Sequence, residues 1–89
     1  MLFMVIERFQ RQSLAVYRRV RDGGRRMPEG VTFVDSWVSA DLSRCFQLME
    51  CDQVHLLQEW VAQWVDLAEF EIVPVTRGRV TAESLGPML

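Results

Sequence analysis

A handful of side chains in this 89-residue sequence have the type and spacing to do chemistry. Asp35 and Trp37 stand two residues apart, which puts both on one face of a strand; Cys45, Gln47, Met49 and Cys51 share a face in the same way. Where two such sets meet on a sheet face free of helices, they build a mixed aromatic, amide and thioether wall. Small-molecule pockets have that composition, apolar with a few polar groups. Glu71 joins from a later strand. In such a pocket Asp35 is the acid or base, its pKa raised by burial. Trp37 and Met49 pack the substrate and Gln47 orients it. An enzyme of this kind requires a closed cavity of roughly 300 Å³ or more. The simpler reading of the same residues is a partly polar dimer interface, with Asp35 hydrogen-bonding across a two-fold axis. His55, the one histidine, falls in the first turn of a helix, whose positive end disfavours its protonation. It reads as a surface or capping residue before it reads as a catalytic base.

Other chemistries lack their residues. There is no phosphate-binding glycine loop, HExxH or nucleophile elbow; Gly23-Gly24 follows no strand and opens no helix. No CxxC or Cys/His spacing suits zinc, so no metal and no cofactor is expected. Cys45 and Cys51 lie ~20 Å apart along one strand, too far to pair within the chain, and reduced thiols suit the cytoplasm. The net charge is −2, and all ten basic residues are arginine. Arg18, Arg21 and Arg25 share a helix face, with Arg19 and Arg26 beside them, but no aromatics interleave with them. A solvated face is the plainer reading, and no nucleic-acid partner is expected. Base stacking on the sheet is disfavoured too, because Arg44–Met49 lacks the required glycine-aromatic pattern. The apolar opening Met1–Ile6 stops at Glu7-Arg8 without a basic lead-in, so it reads neither as a signal peptide nor as a membrane span.

The elements that must position these residues follow from periodicity. Met1–Phe9 is apolar at both parities until Glu7, as in a strand buried on both faces. From Arg11 to about Met27 the stripe Leu14, Tyr17, Val20, Gly24, Met27 predicts an amphipathic helix, which either ends at Gly23-Gly24 or packs closely there. Pro28-Glu29-Gly30 is a turn. Val31–Ser39 is a second strand, with Phe33, Asp35 and Trp37 on one face and Val34, Ser36 and Val38 on the other. Arg44–Cys51 is a third, hairpin-linked to it. Asp52 caps a second helix running to about Asp66, with the stripe Leu57, Trp60, Val61, Trp64. Glu69–Val75 is a fourth strand, placed at an edge because Pro74 cannot donate to a ladder. Thr76–Leu89 loses periodicity; Thr81–Leu85 has the composition for one helical turn capped by Thr81.

The order β-α-β-β-α-β with right-handed crossovers predicts an α+β, ferredoxin-like domain over residues 1–76, with 77–89 a C-terminal tail. The four strands form an antiparallel sheet in the order 4-1-3-2, with two helices on one face. The other face then holds large apolar side chains whatever the parity. Leaving each of them wet forgoes roughly 1.5–3 kcal/mol. A homodimer packed sheet to sheet is the expected remedy.

Asp35-Ser36-Trp37, Arg44–Cys51 and Phe70–Val75, with the opening Met1–Phe9 and Pro28-Glu29-Gly30, resemble the bacterial domain-of-unknown-function 3303 family over about residues 1–76. The resemblance implies a single ferredoxin-like domain of the dimeric α+β barrel type. That superfamily includes cofactor-free monooxygenases, isomerases, stress-response barrels and haem-binding members, which hold ligands between helices and sheet or inside the barrel. The first functional expectation is therefore a small cytoplasmic dimeric module that binds a small apolar ligand or a partner without chemistry of its own. The second is a cofactor-independent enzyme of the monooxygenase or isomerase type.

Overall fold

A computed structural model describes all 89 residues. Strand β1 (Leu2–Arg8) is followed by helix α1 (Ser13–Gly23) and the hairpin strands β2 (Thr32–Val38) and β3 (Arg44–Glu50). Helix α2 (Val54–Ala62), strand β4 (Glu69–Val75), helix α3 (Gly78–Leu85) and a 3-10 turn (Gly86–Met88) complete the chain. The four strands form one antiparallel sheet in the order β2-β3-β1-β4. This is the expected ferredoxin-like arrangement, with β1 and β3 at the centre and Pro74 on an edge.

Register decides what each face carries. Phe3 pairs with Met49, Val5 with Gln47 and Glu7 with Cys45. On the other side of β1, Val5 pairs with Ile72 and Glu7 with Phe70. These residues point at the helices. Phe3, Val5, Phe9, Cys45, Met49 and Cys51 join Val16 of α1, Leu57 and Trp60 of α2, and Trp64 and Ala68 beyond it in one buried cluster. The opposite face carries Leu2, Met4 and Ile6 of β1, Phe46 and Leu48 of β3, and Val73 and Val75 of β4, by the same alternation.

Several local expectations are corrected. In β2 a bulge between Phe33 and Asp35 interrupts the alternation. Phe33 pairs with Met49 on the helix side, while Trp37 pairs with Phe46 and Asp35 with Leu48 on the open side. Phe33 therefore parts from Asp35 and Trp37, because the extra residue shifts the strand by half a period. Helix α1 stops at Gly23, not Met27. Gly24 takes φ 71°, which favours glycine, and its N–H bonds the Val20 carbonyl. Val16, outside the expected stripe, is the one buried residue of the helix; of the stripe itself Val20 and Met27 pack against the core, while Leu14 is exposed. Asp52 does not cap α2; Gln53 holds that position, with no side-chain bond to the helix. α2 is also shorter than expected, since Gln63–Leu67 continue as turns that still bury Trp64. The C-terminal helix begins at Gly78, ahead of Thr81, with Arg77 at its N-cap. Both cysteines are free and buried.

Candidate functional site

The alternation Phe3, Val5, Glu7, Phe9 along β1 places a carboxyl where the pattern calls for a hydrophobe. Glu7 is only 5% exposed. It lies at the end of a cavity of about 80 Å³ between the sheet and the two helices. The floor is Glu7, Gln47 and Cys45 on the central strands, with Ser36 and Val38 from β2. Val16, Tyr17 and Val20 of α1 form one wall and Trp60 and Trp64 the other; Arg25 also borders the cavity. Val16 and Val20 share a face of α1 at four-residue spacing; Trp60 closes the other side from α2, and Trp64 from the turns that follow it.

The polar groups at this floor are tightly set. Gln47 Nε2 donates to Glu7 Oε1. Gln47 Oε1 and Trp64 Nε1–H are buried without a partner. Burial pushes the Glu7 carboxyl up to about 7, opposed by the Gln47 hydrogen bond and the Arg25 charge. Burial and the neighbouring Glu7 push the Cys45 thiol up to about 11. Tyr17 is raised by burial, then by Cys45 and Glu7. A carboxyl that changes charge near neutrality can donate or accept a proton there. The thiol at that pKa stays protonated and is a poor nucleophile. The segment that carries Arg25 is pinned, because Trp60 Nε1 donates to the Arg25 carbonyl at 2.7 Å and Gln63 Nε2 to that of Arg26 at 3.2 Å. The Arg25 guanidinium stacks over Phe33, 3.9 Å from its ring centre.

The family model for a domain of unknown function, DUF3303, matches residues 1–89, the whole chain. The chain belongs to the DUF3303 family. No curated protein and no solved structure matches it. For this DUF3303 chain the reading of function therefore comes from the cleft itself.

Of the residues singled out from sequence, Gln47 lies in the cleft. Met49 is fully buried beside it on the same sheet face, in the core rather than on the cavity wall. Asp35, Trp37 and Glu71 lie on the opposite, open face, as their pairing with Leu48, Phe46 and Ile6 requires. The sheet therefore separates the two sets that were to form one wall, because the odd positions of β3 share the helix side with the odd positions of β1. Neither cavity of the chain is lined by Asp35 or Trp37. Asp35 is exposed and its carboxylate accepts the Ser36 N–H at 2.8 Å. Glu71 pairs with Arg8 at 3.5 Å. His55 is exposed, one residue into α2. Glu7, Tyr17 and Arg25 were missed as site residues. The signal for Glu7 was present: an acidic residue in register with Phe3, Val5 and Phe9.

No helix is long and apolar enough to cross a membrane, and no three His, Cys, Asp or Glu side chains converge as a metal site would require. Of the arginine cluster, Arg19 forms a two-pronged pair with Asp66, at 2.8 and 2.6 Å, and Arg21 pairs with Asp22 at 2.9 Å.

Proposed function

We propose that this DUF3303 protein is a homodimeric binding module that takes a small, mainly apolar molecule into the helix–sheet cleft. The observation that carries this reading is that two residues lining the cavity hold buried polar atoms without a partner, Gln47 Oε1 and Trp64 Nε1–H. A buried orphan acceptor and donor each cost free energy, and a guest that brings a hydroxyl or amide group to either one relieves that cost. At about 80 Å³ the cavity is smaller than the ~150 Å³ void that takes a benzene. The guest is therefore small, or Tyr17 and Arg25 move aside to admit it.

Dimerisation is supported by the open face of the sheet. Trp37 is 50% exposed there, paired with Phe46 and on the same face as Ile6, Met4 and Val73, and a patch of that kind on so small a domain marks an interface. Two sheets packed through it make a closed α+β barrel. The cytoplasm is the compartment that two free thiols suit.

A second reading is favoured by Glu7. A carboxyl poised near neutrality beside a small cleft suits a cofactor-independent proton-transfer enzyme of the isomerase type. In that reading Glu7 is the acid/base and Gln47 orients the substrate.

The test is NMR titration of the isotope-labelled protein with phenol, indole and cyclohexanol. Binding moves the Trp64 indole and Gln47 side-chain amide signals while the Trp37 indole stays still. If none of the three probes moves Trp64 or Gln47 at millimolar concentration, the cleft is not a binding site.

A further inference from the structure

We infer that the guest of the helix–sheet cleft is a small carboxylate, its apolar body inside and its carboxylate held at the mouth by the Arg25 guanidinium. This names the ligand class of the binding site proposed above and rests on that reading. Arg25 is the one cation that borders the cavity. It is also exposed, so it stands where the cavity opens to solvent. Its position is fixed twice over. The backbone is tied down by the bonds that Trp60 and Gln63 donate to the Arg25 and Arg26 carbonyls, directly after the left-handed turn at Gly24. The side chain lies on the Phe33 ring. A ring stacked on the face of a guanidinium leaves the in-plane N–H donors open.

Those donors are not spent on the chain. Arg8, Arg19, Arg21 and Arg79 each pair with an acidic side chain, and Arg25 does not. Glu7, the acid that shares the cavity with it, takes its hydrogen bond from Gln47 instead. A planar fork of donors, held still at the mouth of a mainly apolar cleft, matches a planar two-oxygen anion. Holding it still beforehand lowers the cost of binding. A carboxylate left at the mouth also takes no room inside. The interior of about 80 Å³ is about half the ~150 Å³ void that takes the six carbons of benzene, so a body of about three carbons fits. Butyrate has that form.

Glu7 sets the pH range over which the site accepts an anion. The titratable groups around it are Arg25 from the segment after α1, Tyr17 from α1 and Cys45 from β3. β4 sets Phe70 against it, and α2 contributes Trp60 to the same cavity. Tyr17 and Cys45, both raised, stay neutral from pH 6 to 8, while Glu7, at about 7, ionises there. Once ionised, Glu7 claims part of the Arg25 charge and repels a second carboxylate. A like charge that moves Glu7 up by about one further unit weakens the guest about fivefold between pH 6 and 8, and binding takes up a proton.

The experiment titrates the full-length labelled protein with butyrate, butyramide and acetate at constant ionic strength, read at the Trp64 indole and the Gln47 side-chain amide. At pH 6 butyrate should bind about tenfold tighter than butyramide, which lacks the charge, and than acetate, which lacks the body. At pH 8 butyrate should bind about fivefold more weakly than at pH 6. R25M should bind butyrate and butyramide alike, and R25K should recover part of the preference. E7Q should keep the preference and lose the pH dependence. If phenol, indole or cyclohexanol reaches Trp64 or Gln47 while wild type binds butyrate no better than butyramide, or R25M keeps the preference, the carboxylate inference falls and the cleft reading stands. If butyrate moves only Arg25 and Phe33 signals, the anion stays on the surface and the inference falls likewise. If no compound of either series moves Trp64 or Gln47, both fall.

Discussion

The carboxyl of Glu7 sets a stability that depends on pH in the direction opposite to most acidic residues. Its ordinary value is near 4.5, and burial moves it to about 7 in the fold. Below about pH 4.5 the group is protonated both folded and unfolded, and stability is undiminished by it. Between about 4.5 and 7 the unfolded chain releases the proton and the native chain keeps it, so stability falls as pH rises. Above about 7 both are ionised and the loss is complete. At about 1.4 kcal/mol per pH unit of separation the total is ~3 kcal/mol, of order 10–20 °C in melting temperature for a domain of this size. Asp41, held at about 2 by Ser43 and Ser39, acts with the opposite sign, but below this window. Glu7→Gln keeps the shape and removes the charge. Urea denaturation from pH 4 to 8 should show wild type losing stability and the variant holding level, the two curves meeting at pH 4 and separating by up to ~3 kcal/mol at pH 8. A wild type whose stability is flat or rises between pH 4.5 and 7, or a variant with the same slope, would refute the burial of an ionisable Glu7.

Other outcomes follow from the same geometry. Trp60→Ala removes a side chain that is 2% exposed and strands the Arg25 carbonyl it donates to; chemical denaturation should show a loss of ~3–5 kcal/mol. Cys45 and Cys51 are buried, so a thiol-specific chromogenic reagent at pH 8 should react slowly with the native protein and count both thiols promptly once urea is added. Asp35→Asn changes an exposed residue on the far side of the sheet from the cleft, so it should leave the midpoints of the phenol and indole titrations unchanged.

The architecture was legible because its determinants are local and periodic. Apolar residues at both parities of Met1–Ile6 marked a central strand, Pro74 an edge, and Leu57, Trp60 and Trp64 the buried side of α2. The site was not legible, for a different reason. Which parity of β3 faces the helices depends on cross-strand pairing with β1, and no property of β3 alone decides it. Gln47, singled out from sequence, does border the cleft, yet the expectation set it in one wall with Asp35, which the sheet keeps apart. The extra residue in β2 left no mark on the alternation of Phe33, Asp35 and Trp37, since a bulge is settled by how the strand docks on its neighbour. The end of α1 was a choice between continuing through glycine and stopping at it, and the left-handed turn at Gly24 is the physical answer.

The irregularity in β2 also bears on how this surface can change over time. The strand sits on the rim of the sheet, hydrogen-bonded to β3 alone, so losing or gaining one residue there disturbs a single ladder. Such an event would restore the plain two-residue rhythm and send either Phe33 or the Asp35–Trp37 pair through the sheet plane, exchanging aromatic cover over Arg25 for aromatic surface outside. Relatives differing by one residue near Val34 would then share a skeleton and diverge in what their outer wall recognises, with β1 and β3 untouched.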